Sequence, residues 1–192
     1  LPEKIIKQPR ISEKEFFSFL KERKGLLEGV VLCGGEPTAS KDLPQFIEKI
    51  KKMGFLVKLD TNGSNPEMLK DLVRKKQIDY VAMDIKLPLE KYSELFGECV
   101  EKEDIKISVD FLKKNQIDFE FRTTVVPGVH SKENFLEIAK WIGGPDIKYY
   151  LQNFRPEKTL DPEFEKIKPH PKDFLNNIVK EISPYFKICQ TR

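Results

Sequence analysis

Cysteine is scarce in this chain: three occur in 192 residues, Cys33, Cys99 and Cys189. None falls in a CxxC or CxxxC spacing, so the sequence offers neither a zinc-ligand pattern nor a disulfide framework. That usage fits a reducing, cytoplasmic setting. Long apolar runs are missing too. No stretch approaches the roughly 18 residues of a membrane span, and the N-terminal residues lack a signal-peptide core. No charge sign dominates, since 34 Lys and Arg face 31 Asp and Glu for a net +3. Basic and acidic residues are interleaved, which argues against a nucleic-acid groove. No internal repeat or low-complexity segment stands out.

What is present is a regular alternation of helical and strand patterns. Hydrophobic residues are 39% and charged residues 34%, and residues 1–192 read as one domain able to bury a good core. Ser12 with Glu15 makes a capping box for a helix carrying Phe16, Phe17 and Leu20. Ser40 is expected to cap a helix with Leu43, Phe46, Ile47, Ile50 and Met53 on one stripe, stopped by Gly54. Asn65-Pro66 opens a third helix, and a helical stretch runs to about residue 115. Ser131 caps a helix with Phe135, Ile138, Ala139 and Trp141, and a last helix covers 172–183. Strands are expected at 29–33, 55–60, 79–86, 117–126 and 147–152. The segment 155–192 reads as a Pro-rich charged connector followed by the last helix. Such β-α-β alternation argues for a parallel α/β fold.

Splitting each strand by parity separates an apolar face from a charged one. Val57 and Leu59 oppose Lys58 and Asp60. Val81, Met83 and Ile85 oppose Ala82, Asp84 and Lys86. Ile117, Phe119 and Phe121 oppose Asp118, Glu120, Arg122 and Thr124. An open sheet covered by helices on both sides would be apolar on both faces. Charge on one face of a parallel sheet is costly unless that face lines a wet lumen. A barrel, or part of one, is therefore expected, with its chemistry at the C-terminal strand ends. The competing reading is a half-exposed sheet with solvated charges.

Those strand ends carry the chemistry. Gly34-Gly35-Glu36-Pro37 closes the run Gly29-Val30-Val31-Leu32-Cys33. The two glycines let a ligand approach the backbone, and the glutamate follows at once. Asp60-Thr61-Asn62-Gly63 ends the next strand, Asp84-Ile85-Lys86 the third, and Arg122-Thr123-Thr124-Val125-Val126-Pro127-Gly128 the fourth. Three carboxylates and two cations at neighbouring strand ends suit a zwitterion. Glu36 and Asp60 would accept from an ammonium, Lys86 would face a carboxylate, and Asp84 would accept from ribose hydroxyls. The bland alternative is that these groups pair among themselves as lumen salt bridges.

GGEP, DTNG, DxK and RTTVVPG, in that order on successive strands, resemble the radical S-adenosylmethionine enzymes. More narrowly they resemble the activating enzymes of glycyl-radical proteins, those for anaerobic ribonucleotide reductase first and pyruvate formate-lyase second. The resemblance runs from the first helix to about residue 155. It implies a partial parallel (β/α)6 TIM-like barrel that binds S-adenosylmethionine through Gly34, Gly35, Glu36, Asp60, Asp84, Lys86, Arg122, Thr124 and Val125. It implies a [4Fe–4S] cluster that cleaves this cofactor to a 5′-deoxyadenosyl radical, which takes hydrogen from a backbone glycine of a partner enzyme. It also implies a flavodoxin or ferredoxin-type electron donor, with no nucleic-acid or membrane partner. Two alternatives stay open: a radical enzyme acting on a small molecule, and a cluster-free binding domain on the same barrel.

Two departures from that pattern matter. A histidine that some pyruvate formate-lyase activators carry falls near Phe154, within Tyr150-Leu151-Gln152-Asn153-Phe154-Arg155-Pro156, a string more like the ribonucleotide reductase activators. The family's CxxxCxxC loop has no counterpart among Cys33, Cys99 and Cys189. The loop and the first strand are expected upstream of Leu1, which leaves no catalytic residue or metal ligand in this chain and leaves it unable to react as it stands. Cys33 is expected to be a small buried hydrophobe, and Cys99 and Cys189 incidental. His130 is expected to serve a loop or cap, His170 to be an exposed loop residue, and Trp141 to belong to the core.

Overall fold

Local sequence dictates where most elements begin. Ser12 Oγ accepts from the Glu15 amide while Glu15 Oε2 accepts from the Ser12 amide, so the capping box starts α1 (Glu13–Glu22) as expected. In the computed structural model, which describes residues 11–97, 101–157, 159 and 161–192, the elements then alternate. They are β1 (Gly29–Leu32), α2 (Leu43–Lys52), β2 (Leu56–Thr61), α3 (Pro66–Arg74), β3 (Tyr80–Asp84), α4 (Tyr92–Phe96) and α5 (Lys102–Lys114). They continue with β4 (Asp118–Val125), α6 (Lys132–Ile142), β5 (Gly144–Asn153), α7 (Lys172–Ile182) and β6 (Phe186–Thr191). Asn65 Oδ1 accepts from the Met68 amide at 3.1 Å to cap α3. Among the described residues no helix is long and apolar enough to cross a membrane.

Ser40 does not cap α2. A 3-10 turn over Pro37–Ala39 ends at Ser40, whose amide donates to the Pro37 carbonyl. The helix therefore starts later, after Asp42, which makes no side-chain capping bond. Gly54 ends α2 as expected, at φ +91°.

The six strands form one parallel sheet in sequence order, with β1 and β6 at its two edges. This is a partial TIM-like barrel. Its first described strand is the one that carries the GGEP segment. Its sixth corrects the reading of 155–192 as connector and helix only: Phe186–Thr191 returns beside β5, pairing Lys148 with Ile188 and Tyr150 with Gln190. Six residues after a Pro-broken helix end carry too little alternation to announce a strand, and only the free edge of β5 gives them a partner.

Parity sorts the sheet faces as expected. Val57, Leu59, Val81, Met83, Phe121, Val125, Tyr149 and Leu151 are buried on the helix side. They meet apolar stripes such as Leu69 and Leu72 of α3 and Ile105, Val109 and Leu112 of α5. Trp141 packs against this core, edge-on to Tyr92 at 6.4 Å. On the other face, Asp84 lies opposite Arg122 and Arg122 opposite Tyr150.

Candidate functional site

Gly34 and Gly35 have φ of +91° and +56°, and a Cβ at either would meet nothing within 4 Å. The left-handed backbone explains the residue choice, and the open surroundings leave the loop free to be approached. Cys33, beside them, is exposed rather than buried. It follows Leu32, the last residue of β1, and shares the parity of the exposed Val31, so apolar character there does not imply burial.

Glu36 is held by the turn it begins. Its Oε1 accepts from the Thr38 amide at 3.1 Å, the Thr38 hydroxyl at 2.6 Å and the Thr61 hydroxyl at 2.7 Å. Its Oε2 accepts from the Asn62 amide at 2.6 Å. One oxygen is saturated and the other keeps acceptor capacity. Thr38 and Thr61 are 1% and 4% exposed, so the carboxylate is fixed by buried hydroxyls. Thr61 also accepts from the Gly63 amide, and Ser108 Oγ donates to the Gly63 carbonyl. Gly63 itself stands at φ +79°, where a Cβ would lie 2.1 Å from Met83 Cε.

Asp60, Asp84, Lys86 and Arg122 are brought together as one chain of charge. Arg122 Nη1 donates to Asp60 Oδ2 at 3.0 Å, and its Nε and Nη2 reach Asp84 Oδ1 at 3.0 Å. Lys86 Nζ donates to Asp84 Oδ2 at 2.9 Å. Burial opposes the Arg122 charge, but Asp84 and Asp60 more than offset it and raise its affinity for the proton. Without ligand these groups satisfy one another, as the lumen salt-bridge reading described. Asp60 Oδ1 is the exception: it is buried without a hydrogen bond, with Lys58 Nζ at 3.7 Å.

One layer below lies Glu120, 1% exposed. Arg192 Nη1 donates to it at 2.8 Å and Tyr80 Oη at 2.9 Å, with Lys58 Nζ at 3.5 Å. Burial pushes this carboxyl up, and the Arg192 and Tyr80 hydrogen bonds with the Lys58 charge bring it below its ordinary value. Thr124 lines an open cleft of about 570 Å³ at the mouth with Gln152, Phe154 and Arg155. The Val125 side chain points the other way, fully buried in the core, so any role it has at the site passes through its backbone.

Two supports escaped the sequence reading, while His130, expected to serve a loop or cap, does so. Thr38 and Thr61 anchor Glu36; Pro37 at the first turn position was the available signal, because such turns need a side-chain acceptor just before them. Tyr92 Oη accepts from the Lys86 amide. His130 ties two strand ends together: its Nε2 lies 2.7 Å from the Lys86 carbonyl, and the Val126 amide donates to its Nδ1 at 3.0 Å. A carbonyl only accepts and an amide only donates, so the ring is the neutral Nε2–H tautomer. Burial lowers its proton affinity accordingly. His170 is not a free loop residue. It stacks on Phe174 at 3.9 Å, and its carbonyl accepts from Asn153 Nδ2. Cys99 lies outside the described residues. Among those residues no group of three or more His, Cys, Asp or Glu is placed to hold a metal ion.

Residues 7–142 match the Radical SAM superfamily. The chain belongs to that superfamily. A protein of Methanocaldococcus jannaschii named as a candidate glycyl-radical enzyme activating enzyme is 41% identical over 152 residues, 76% of this chain and 62% of that protein. The chain thus spans less than two thirds of the length of that relative. Among solved structures, a domain of the pyruvate-formate lyase-activating enzyme from Bacteroides vulgatus superposes with a TM-score of 0.66 at 16% identity, over 85% of this chain and 98% of that one. Streptococcus suis SuiB bound to S-adenosylmethionine superposes with a TM-score of 0.70 at 17% identity, over 97% of this chain and 45% of that one. At these identities the two structures speak for the radical SAM barrel fold.

Proposed function

We propose that the strand ends of this barrel bind S-adenosylmethionine and that the protein activates a glycyl-radical enzyme, anaerobic ribonucleotide reductase being the preferred partner and pyruvate formate-lyase the second. The observation that carries the cofactor reading is the immobilised Glu36 carboxylate beside two left-handed glycines whose surroundings are open. The backbone there and the remaining lone pairs of Glu36 Oε2 receive the ammonium group. Lys86, 35% exposed at its side chain and paired only with Asp84 among the described residues, turns to the cofactor carboxylate. Asp84 accepts from ribose hydroxyls, Arg122 holds Asp60 and Asp84 at fixed spacing, and Thr124 with the backbone at Val125 flanks the adenosyl part. These residues would hold S-adenosylmethionine, which with a [4Fe–4S] cluster would supply radical chemistry for hydrogen abstraction from a glycine. In this reading the cluster thiolates are not Cys33 or Cys189. The Methanocaldococcus relative's name supports the activase assignment over a cluster-free binding domain.

Calorimetric titration with S-adenosylmethionine tests the site without requiring turnover. Lys86→Ala is expected to lose about 1.5–3 kcal/mol of binding, the range of a charged hydrogen bond. Unchanged affinity would remove Lys86 from its role, and no binding by the unaltered protein would overturn the reading.

A further inference from the structure

At the mouth of the barrel, next to Thr124 and Gln152, a second cleft of about 420 Å³ opens between the end of β5 and the start of α7. Arg155, Lys172 and Arg192 line it, with Asn153, Asn176 and Thr191, and no Asp or Glu among the described residues lines its wall. It shares Asn153, Arg155 and Arg192 with the cleft of about 570 Å³ beside Thr124.

This contrasts with the rest of the molecule, where acidic and basic residues nearly balance. The lumen cations Lys58, Lys86 and Arg122 are all paired. On the surface, Lys49, Lys52, Lys70 and Lys75 have carboxylate partners, while Lys14 and Lys114 have none among the described residues and differ from the cleft cations in standing apart from one another. Arg192 is paired with Glu120 through Nη1 and lies 3.4 Å from the centroid of the Tyr150 ring, which fixes its plane at the cleft. Arg155 and Lys172 have no ion pair among the described residues. Like charges gathered in a concavity repel one another, and an oxyanion entering there relieves that repulsion while accepting several charge-assisted hydrogen bonds.

We propose that the Arg155–Lys172–Arg192 cleft is an oxyanion subsite at the mouth of the barrel that takes a carboxylate or phosphate group of a ligand docking on this rim. Its link to catalysis rests on the strand-end reading above; its ligand chemistry does not. Asn176 and Thr191 offer neutral donors to such a group, while Asn153 Nδ2 is already engaged by the His170 carbonyl. Lys86 and Asp84 sit on the same C-terminal edge of the sheet, so a group held here by its charge lies on the same rim as the cofactor site.

The test uses inorganic pyrophosphate and glutarate as probes, titrated calorimetrically into the unaltered protein at low salt. Arg155→Ala with Lys172→Ala is expected to weaken the better probe by at least about tenfold, the effect of losing one or two charged hydrogen bonds. A control lacking two exposed cations elsewhere, Lys14→Ala with Lys114→Ala, is expected to bind as the unaltered protein does. A preference for pyrophosphate assigns a phosphate-bearing ligand to the cleft, and a preference for glutarate a carboxylate such as an acidic side chain of a docking protein. Equal weakening in the control pair, or no loss in the cleft pair, would overturn the subsite. Both cleft residues are exposed, and unchanged urea midpoints will show that folding is intact. S-adenosylmethionine titration of the same samples separates the two proposals. Failure there with pyrophosphate or glutarate binding retained rejects the cofactor reading and leaves the subsite standing.

Discussion

Arg122 shows how one side chain sets the character of this lumen. It is 12% exposed and is the only group that hydrogen-bonds to both Asp60 and Asp84 among the described residues. Removing it leaves two carboxylates facing one another across neighbouring strands in poor solvent. Arg122→Met is expected to lower stability by about 2–4 kcal/mol in urea unfolding, since breaking one side of a buried pair strands its partners. Adding Asp84→Asn should recover more than half of that loss; no recovery would mean that the cost lies in packing. Glu36 belongs to the same scale. Its sequence position was legible, but its four donors were not, because Thr38 and Asn62 converge on it from two different strands' ends. Asp60 was legible as a strand-end carboxylate, but its pairing with Arg122 and Lys58 was not, because those partners come from a different strand and from its own strand two residues earlier.

At the scale of elements, turns and staples hold the strand ends in register. Gly63 and Gly54 have similar φ, +79° and +91°, yet only Gly63 is crowded, with Met83 Cε 2.1 Å from its would-be Cβ. Gly54→Ala should cost about 1 kcal/mol from backbone strain alone. Gly63→Ala should cost clearly more in thermal unfolding and should also weaken S-adenosylmethionine binding, because the Thr61 hydroxyl bonds both Gly63 and Glu36. Equal costs at the two glycines would show that the turn tolerates displacement. His130 joins the ends of β3 and β4 as a neutral ring. Its proton affinity is lowered by burial, so the unfolded chain binds the proton more readily. Its contribution is therefore complete above about pH 6.5 and is lost as pH falls below that value. The difference in urea midpoint between the unaltered protein and His130→Gln should shrink between pH 7.5 and pH 5; a constant difference would exclude this linkage.

For the whole molecule, the cysteines test the division between this barrel and the iron. Cys33 is exposed at the end of β1 and Cys189 is half-buried on β6, at opposite edges of the sheet. The 192-residue chain, reconstituted anaerobically with iron and sulfide, is expected to stay well below one cluster per chain. Stoichiometric iron that disappears on Cys33→Ala would assign that thiol as a ligand and overturn the expectation. The parallel sheet, the lumen face and the order of the strand-end groups followed from the sequence, because period-two parity and β-α-β alternation are local properties of the chain. The tertiary structure alone decided how those charges are spent. It supplied β6 as the partner for the open edge of β5, it closed Arg122 onto two aspartates, and it left Arg155 and Lys172 without an ion pair among the described residues at the mouth. Pairing of this kind joins residues as far apart as Glu120 and Arg192, and no local pattern in a sequence records which distant charges will share a cavity.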